Sequence, residues 1–207
     1  MMSVPATDPE ELRRIVELSG RTQFPYPAQK MLVDFHVAGQ DNGTSTVQLV
    51  GCRRELIEQH LAHLGEAGLE PEVVTPSSWG ILAWYQRIRR SLNNQEPVCV
   101  VNVDADHTEL VVIQDGRLLF SRVLGEGVRQ WQGSFGTLEP LWQELKRSLS
   151  GARQDWPGLE INTCVLTGLG PLEQYKTVVE EHLGASVIVQ QATQGWAVAV
   201  QEQEPVS

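Results

Sequence analysis

The run from Val98 to Val128, VCVVNVDADHTELVVIQDGRLLFSRVLGEGV, restricts the possible folds more than any other part of the chain. Val98 to Val103 is almost continuously apolar, the pattern of a strand covered on both faces. Leu110 to Ile113 is a second apolar run, and Leu118 to Val123 a third in which apolar and polar residues partly alternate. Asp115-Gly116 separates the last two, and this dipeptide favours a two-residue hairpin because both central positions need positive φ. Three consecutive antiparallel strands are therefore expected. Downstream, Leu138, Leu141, Trp142, Leu145 and Leu149 recur at helical spacing, Thr163 to Leu166 reads as a strand, and Pro171 to Leu183 as a helix. A last strand is expected at Val187 to Val189, followed by a short apolar segment from Trp196 to Val200 and a frayed tail over 201–207.

The first half reads differently. A helix is expected from Thr7, capped by its hydroxyl with Glu10 three residues on; Leu12, Ile15, Val16 and Leu18 form its apolar side and Gly20 stops it. Phe24-Pro25-Tyr26-Pro27 is an extended linker. Met31 to Val37 and Thr46 to Val50 read as strands joined by the turn-rich Gly39 to Gly43. A helix from Arg53 to Ala67 carries Leu56, Ile57, Leu61 and Leu64 on one face, Val73-Val74 reads as a short strand, and Trp79 to Leu92 as another helix. The polar break Asn93-Asn-Gln-Glu-Pro97 marks the expected domain boundary. The layout is an α/β chain: an αββαβα unit over 5–94 (α+β in character), then a mixed βββαβα unit over 97–200.

Composition excludes several classes. A net charge of −10 argues against nucleic acid or an anionic membrane as partner. No apolar run approaches the roughly 20 residues of a bilayer span. MMSVPATDPEE lacks the basic and apolar regions of a signal peptide. Cys52, Cys99 and Cys164 stand far apart, each at or in an expected strand, as buried reduced thiols do. These features point to the cytoplasm.

The densest set of potential ligands is Asp104, Asp106, His107 and Glu109. Two carboxylates and an imidazole on one turn suit Mg²⁺ or Mn²⁺, and ribonuclease-H-fold nucleases place an acid on the first strand. Such enzymes need further acids from later elements, and nothing in the sequence brings Glu139 or Glu144 to Asp104. A solvated polar turn is the simpler account. His60 and His63 share an expected helix without a third ligand, as surface histidines do. No Gly-x-Ser-x-Gly, Cys-His pair or P-loop supports nucleophilic or nucleotide chemistry. Trp79, Trp84 and Trp142 fall on apolar helix faces. Trp131 and Trp156 fall in expected loops, where an aromatic is a better interface candidate.

The βββαβα order of the second unit is that of the ribonuclease-H-like half of the actin and sugar-kinase fold. Several segments strengthen that likeness: Phe24-Pro25-Tyr26-Pro27, Val33-Asp34-Phe35, Val50-Gly-Cys-Arg-Arg-Glu55 and Ala67-Gly-Leu-Glu-Pro71 in the first half. In the second half they are Asn102 to Thr108, Asp115-Gly116, Ser121-Arg122 and Leu166-Thr-Gly-Leu-Gly170. In this order the chain resembles PilM-like type IV pilus assembly proteins, actin-fold relatives of FtsA and of the GspL proteins of type II secretion.

The resemblance implies a first half equivalent to the family's insertion subdomain, and a chain that starts near the end of a preceding actin-like subdomain, without its first phosphate loop. It also implies that the subdomain normally inserted between Val128 and Cys164 is reduced to a helix and loops. Family positions for nucleotide fall on Asn102, Asp104, Thr108, Gly168 and Gly170. A carboxylate at Asp104, where the family carries a glycine, blocks and repels phosphate, and Leu169 separates the two later glycines. ATP and Mg²⁺, bound by intact members, are therefore expected to be lost, leaving a degenerate pseudo-ATPase without catalytic residues or resident metal. The family's role implies an adaptor at the cytoplasmic face of a pilus or secretion platform, peripheral to the inner membrane and open to self-association. Its partner would be the cytoplasmic tail of a bitopic PilN-like protein, met by Phe24, Tyr26, Phe35, Leu56, His60 and Trp131. The alternatives are an actin-fold nucleotide switch and a divalent-metal nuclease.

Overall fold

A computed structural model describes residues 2–92, 96–131 and 139–193, apart from the side chains of Arg21 and Trp131. The expected apolar segment at 196–200 and the tail lie outside the described residues. The chain divides into two compact units, Met1–Pro76 and Ser77–Ser207.

In the first unit, β1 (Met2–Val4), β2 (Met31–Asp41) and β3 (Thr44–Arg53) form an antiparallel sheet in the order β1-β3-β2. The strand β1 was not expected; three residues are too few to show a period. The hairpin β2–β3 is longer than its sequence suggests. Asn42 and Gly43, at φ 48° and 78°, close it with a two-residue turn whose twist matches the right-handed twist of the strands. An irregularity between Val37 and Gly39 leaves Ala38 outside the register.

Helix α1 (Pro9–Ser19) lays Leu12 and Val16 on Val4, Ala6 and Val47. Its cap is Asp8 rather than Thr7: the Asp8 carboxylate accepts from the N–H groups of Glu10 and Glu11 at 3.1 and 3.0 Å. Pro9 opens the helix, where its missing N–H costs nothing. Asp8→Ala should cost about 1 kcal/mol, measurable as a lower denaturation midpoint. Helix α2 (Arg54–Glu66) buries no residue, and Leu56, Leu61 and Leu64 stay at least one-third exposed. Val73-Val74 is no strand; both side chains are exposed.

The second unit holds the predicted core. Strands β4 (Val98–Val103), β5 (Thr108–Gln114), β6 (Arg117–Leu124), β7 (Thr163–Gly168) and β8 (Ser186–Val189) form one sheet in the order β6-β5-β4-β7-β8. The first three are an antiparallel meander, and β7 and β8 run parallel to β4. The Asp115-Gly116 turn takes φ 53° and 69°, as that dipeptide requires.

Both faces of β4 are covered. Helix α3 (Ser77–Leu92) packs Ile81, Trp84, Tyr85 and Ile88 on Val98, Val100, Val111, Ile113 and Val165. The domain boundary thus falls before α3, between Pro76 and Ser77, and not at 93–97, because the apolar side of α3 is buried by the second sheet. On the opposite face lie α5 (Glu139–Asp155) and α6 (Lys176–Leu183), with Trp142 fully buried and stacked on His182 at 5.0 Å between ring centroids. A 3₁₀ turn, Leu172–Tyr175, starts the segment expected to be wholly helical from Pro171. Trp156, expected in an exposed loop, packs against this core.

Cys99 and Cys164 face each other in register and are fully buried. Their shared hydrogen bond, reinforced by burial, holds the Cys164 thiol well above its usual range. The Cys164 thiol stays protonated and inert. Cys52 departs from the expectation: it is only half-buried.

Candidate functional site

Two places deserve comparison, one in each unit. The turn joining β4 to β5 carries Asp104, Asp106 and His107 at the C-terminal end of β4. Strands end here because the polar run Asp104–His107 folds back on itself: the Asp104 N–H donates to the His107 carbonyl at 2.8 Å. The Asp104 carboxylate accepts the Ala105 N–H at 2.6 Å and lies 3.9 Å from His107 Nε2. Carbonyls of Asp104 and Ala105 accept from Val128 and Arg129, at the start of the short helix α4 (Val128–Trp131). Arg129 also pairs with Asp106, and the Thr108 hydroxyl donates to the Glu126 carbonyl at 2.7 Å.

Gly127 lies against this turn so closely that a Cβ would overlap Asp104, Asp106 and His107 backbone atoms. Two of the N–H groups a phosphate would seek, those of Asp104 and Ala105, are thus already engaged. The Asp104 carboxylate adds negative charge at the same spot. The residues present do not fit a nucleotide phosphate.

Gly168 and Gly170 flank the end of β7, at φ 114° and 90°. A Cβ on Gly168 would stand 2.7 Å from the Val103 nitrogen and 2.8 Å from its carbonyl carbon, and one on Gly170 would strike Val128. Backbone packing therefore demands Gly168, while the positive φ of Gly170 together with the Val128 side chain favours glycine there. An open depression of about 600 Å³ lies beside them, bounded by Leu172, Glu173, Val189 and Gln190.

Asn102 points away from the turn, on the α3 face of the sheet, in one row with Glu109 on β5 and Thr167 on β7. A cavity of about 320 Å³ opens there, lined by Ser77, Trp84, Asn102 and Thr167 among others. The sequence grouped Glu109 with a solvated turn. In the structure it is 2% exposed, and its Oε2 is buried without a partner, as are Trp84 Nε1 and Thr167 Oγ1. Burial raises the Glu109 carboxyl pKa; a hydrogen bond from Ser77 and the nearby His107 oppose the shift. Among the described residues no three His, Cys, Asp or Glu side chains cluster to hold a metal.

The second place is a groove of about 640 Å³ in the first unit, between α1 and β2. Phe35 and Val37 project to the α1 face two residues apart, and both pack against the Leu12 and Val16 core. Thr7, Pro9, Leu12 and Gln40, with the charged pairs Glu10 and Glu17, Arg13 and Arg14, complete the lining. Sequence reasoning found Phe35 but missed Val37 and the two arginines; the alternation Val33-x-Phe35-x-Val37 was the available signal.

The other proposed contact residues are not gathered at this groove. Phe24 lies with its ring over Gly51, where a Cβ would have no room. Tyr26 is half exposed. Leu56 and His60 sit one turn apart on α2, with His60 Nδ1 3.0 Å from the Leu56 carbonyl oxygen. The side chain of Trp131 lies outside the described residues.

The family model for the type IV pilus assembly protein PilM matches residues 2–137, well over half the chain. This protein belongs to the PilM family. Its fold matches that of a chain in a PilM–PilN type IV pilus biogenesis complex with a TM-score of 0.76 and 21% identity, covering 96% of this protein and 67% of that chain. At that identity the likeness speaks to fold. More distant similarity extends to a Bacteroides thetaiotaomicron protein with an actin-like ATPase fold and unknown function (TM-score 0.43, 15% identity, 91% of this chain and 64% of that one). The ethanolamine utilization protein EutJ from Carboxydothermus hydrogenoformans is also similar (TM-score 0.40, 14% identity, 61% and 53%). Among the described residues no helix of this PilM-family protein is long and apolar enough to cross a membrane.

Proposed function

We propose that this PilM-family protein is a non-catalytic adaptor of a type IV pilus assembly platform. In this reading it binds the cytoplasmic tail of a bitopic, PilN-like inner-membrane protein and works at the cytoplasmic face of that membrane. The observation that carries the reading is the match, over 96% of this chain, to the fold of a protein whose structure is described as a PilM–PilN complex. The Asp104 turn supports the non-catalytic half. Its carboxylate belongs to the residue that the resemblance aligns with the family's phosphate-loop glycine, and it holds a backbone N–H of the turn.

The test is a tagged pull-down of the full chain from the host's solubilised membranes, paired with titration of Mg-ATP by calorimetry. Enrichment of the PilN-like protein, without heat from Mg-ATP, is the expected result. Recovery without that protein overturns the adaptor role, and measurable Mg-ATP binding replaces it with a nucleotide switch.

A further inference from the structure

On the α3 face of the second sheet, three neighbouring strands turn polar at the same level. Val98 and Val100 on β4, Val111 and Ile113 on β5 and Val165 on β7 make up the apolar part of that face, packed on α3. Two residues beyond Val100 the register sets Glu109, Asn102 and Thr167 side by side. Glu109 and Thr167 are each 2% exposed. Ser77 meets the Glu109 carboxyl once. Glu109 Oε2, Thr167 Oγ1 and Trp84 Nε1 find no hydrogen-bond partner among the described residues. Buried polar atoms are seldom left unmet, and three in one place call for an explanation. Trp84, Asn102 and Thr167 line the same cavity of about 320 Å³, a size at the lower end of small-molecule sites.

The orphaned atoms define the chemistry of a ligand. The Trp84 indole can only donate, an ionised Glu109 oxygen can only accept, and the Thr167 hydroxyl does either. An anion would take the indole N–H but stand beside the Glu109 carboxylate, and no Lys or Arg among the described residues lines the cavity. A cation would pair with Glu109 and leave the indole N–H unmet. An uncharged group with an acceptor and a donor side by side answers both, as a carboxamide does. Ile81 and the Trp84 ring give the rest of the molecule an apolar wall. Gly80 keeps the mouth open, since a Cβ there would have nothing within 4 Å. We propose that this cavity binds a small uncharged molecule with an apolar body and an amide-type tip. Its carbonyl oxygen accepts from the Trp84 indole and the Thr167 hydroxyl, and its N–H is directed to the Glu109 side of the row. The site lies in the second unit and stands or falls separately from the adaptor reading.

The probe is benzamide, titrated against the isotope-labelled full chain and followed by NMR, with benzoate and benzylammonium as charged controls of similar shape. Benzamide should bind saturably at millimolar concentration and move the Trp84 indole N–H resonance downfield; Trp84→Phe identifies that resonance by its loss. Each charged control should bind at least about tenfold more weakly. Thr167→Val keeps nearly the same shape and removes an unmet hydroxyl, so the free protein should be at least as stable. The same change should weaken benzamide about threefold to tenfold, a combination that simple loss of structure would not produce. Three results overturn the proposal. Absence of saturable benzamide binding leaves the cavity to water only. Benzoate or benzylammonium binding as tightly as benzamide assigns the cavity to an ion instead. Benzamide binding that neither moves the Trp84 resonance nor responds to Thr167→Val places the probe elsewhere.

Discussion

Gly168→Ala should remove at least about 3 kcal/mol of stability, enough to unfold a marginal domain at physiological temperature. Two costs combine. At φ 114° an L side chain is strained, typically by about 1–3 kcal/mol. The new methyl would also meet the backbone of Val103, with nitrogen and carbonyl carbon 2.7 and 2.8 Å away. That backbone cannot retreat, because β4 is the central strand, paired with β5 on one side and β7 on the other. Gly80→Ala is the contrasting substitution. Gly80 lies within α3 with nothing within 4 Å of an added Cβ, so the helical preference of Ala should raise stability by up to about 1 kcal/mol. Denaturant midpoints for the two variants should move in opposite directions. The comparison bears on function: a glycine held in place by packing would persist after any nucleotide was lost, so Gly168 is no argument for an active ATPase.

Much of the second unit was legible because its signals are local. Asp115-Gly116 fixes a hairpin by backbone sterics, and the apolar run of β4 follows from its covered faces. The stripe Leu141, Trp142, Leu145 and Leu149 marks the buried side of α5. What escaped depends on choices between distant partners. The polar break at 93–97 looks like a boundary, yet α3 before it packs on β4 and β5, a pairing no periodicity announces. The edge position of β2 is likewise set by sheet order: β1, short and unrecognised, takes the other side of β3. Glu109 shows the same limit at the candidate site. One acid two residues beyond a polar turn reads as part of that turn, but the in-register pairing with Asn102 places it inside.

That misplaced carboxyl gives the second large effect. Glu109→Gln should stabilise the protein at neutral pH by about 1–2 kcal/mol, the scale for removing the charge from a buried carboxylate with only one of its oxygens bonded. Burial raises the folded-state pKa above the ordinary 4.5, so the folded protein holds this proton more tightly than the unfolded chain does. Stability rises with pH only where the unfolded state binds more protons; here the sign is reversed. Glu109's contribution is fully present below the unfolded pKa and is lost as pH rises through the folded value. The gain from Gln should therefore be largest at neutral and higher pH and shrink as pH falls toward 4.5. Ser77, which bonds the carboxyl, can still donate to the Gln carbonyl oxygen. Thermal unfolding of both proteins across this range gives the answer. Parallel curves would mean that the carboxylate is solvated or paired with a cation, and that the polar row Glu109–Asn102–Thr167 is open to water.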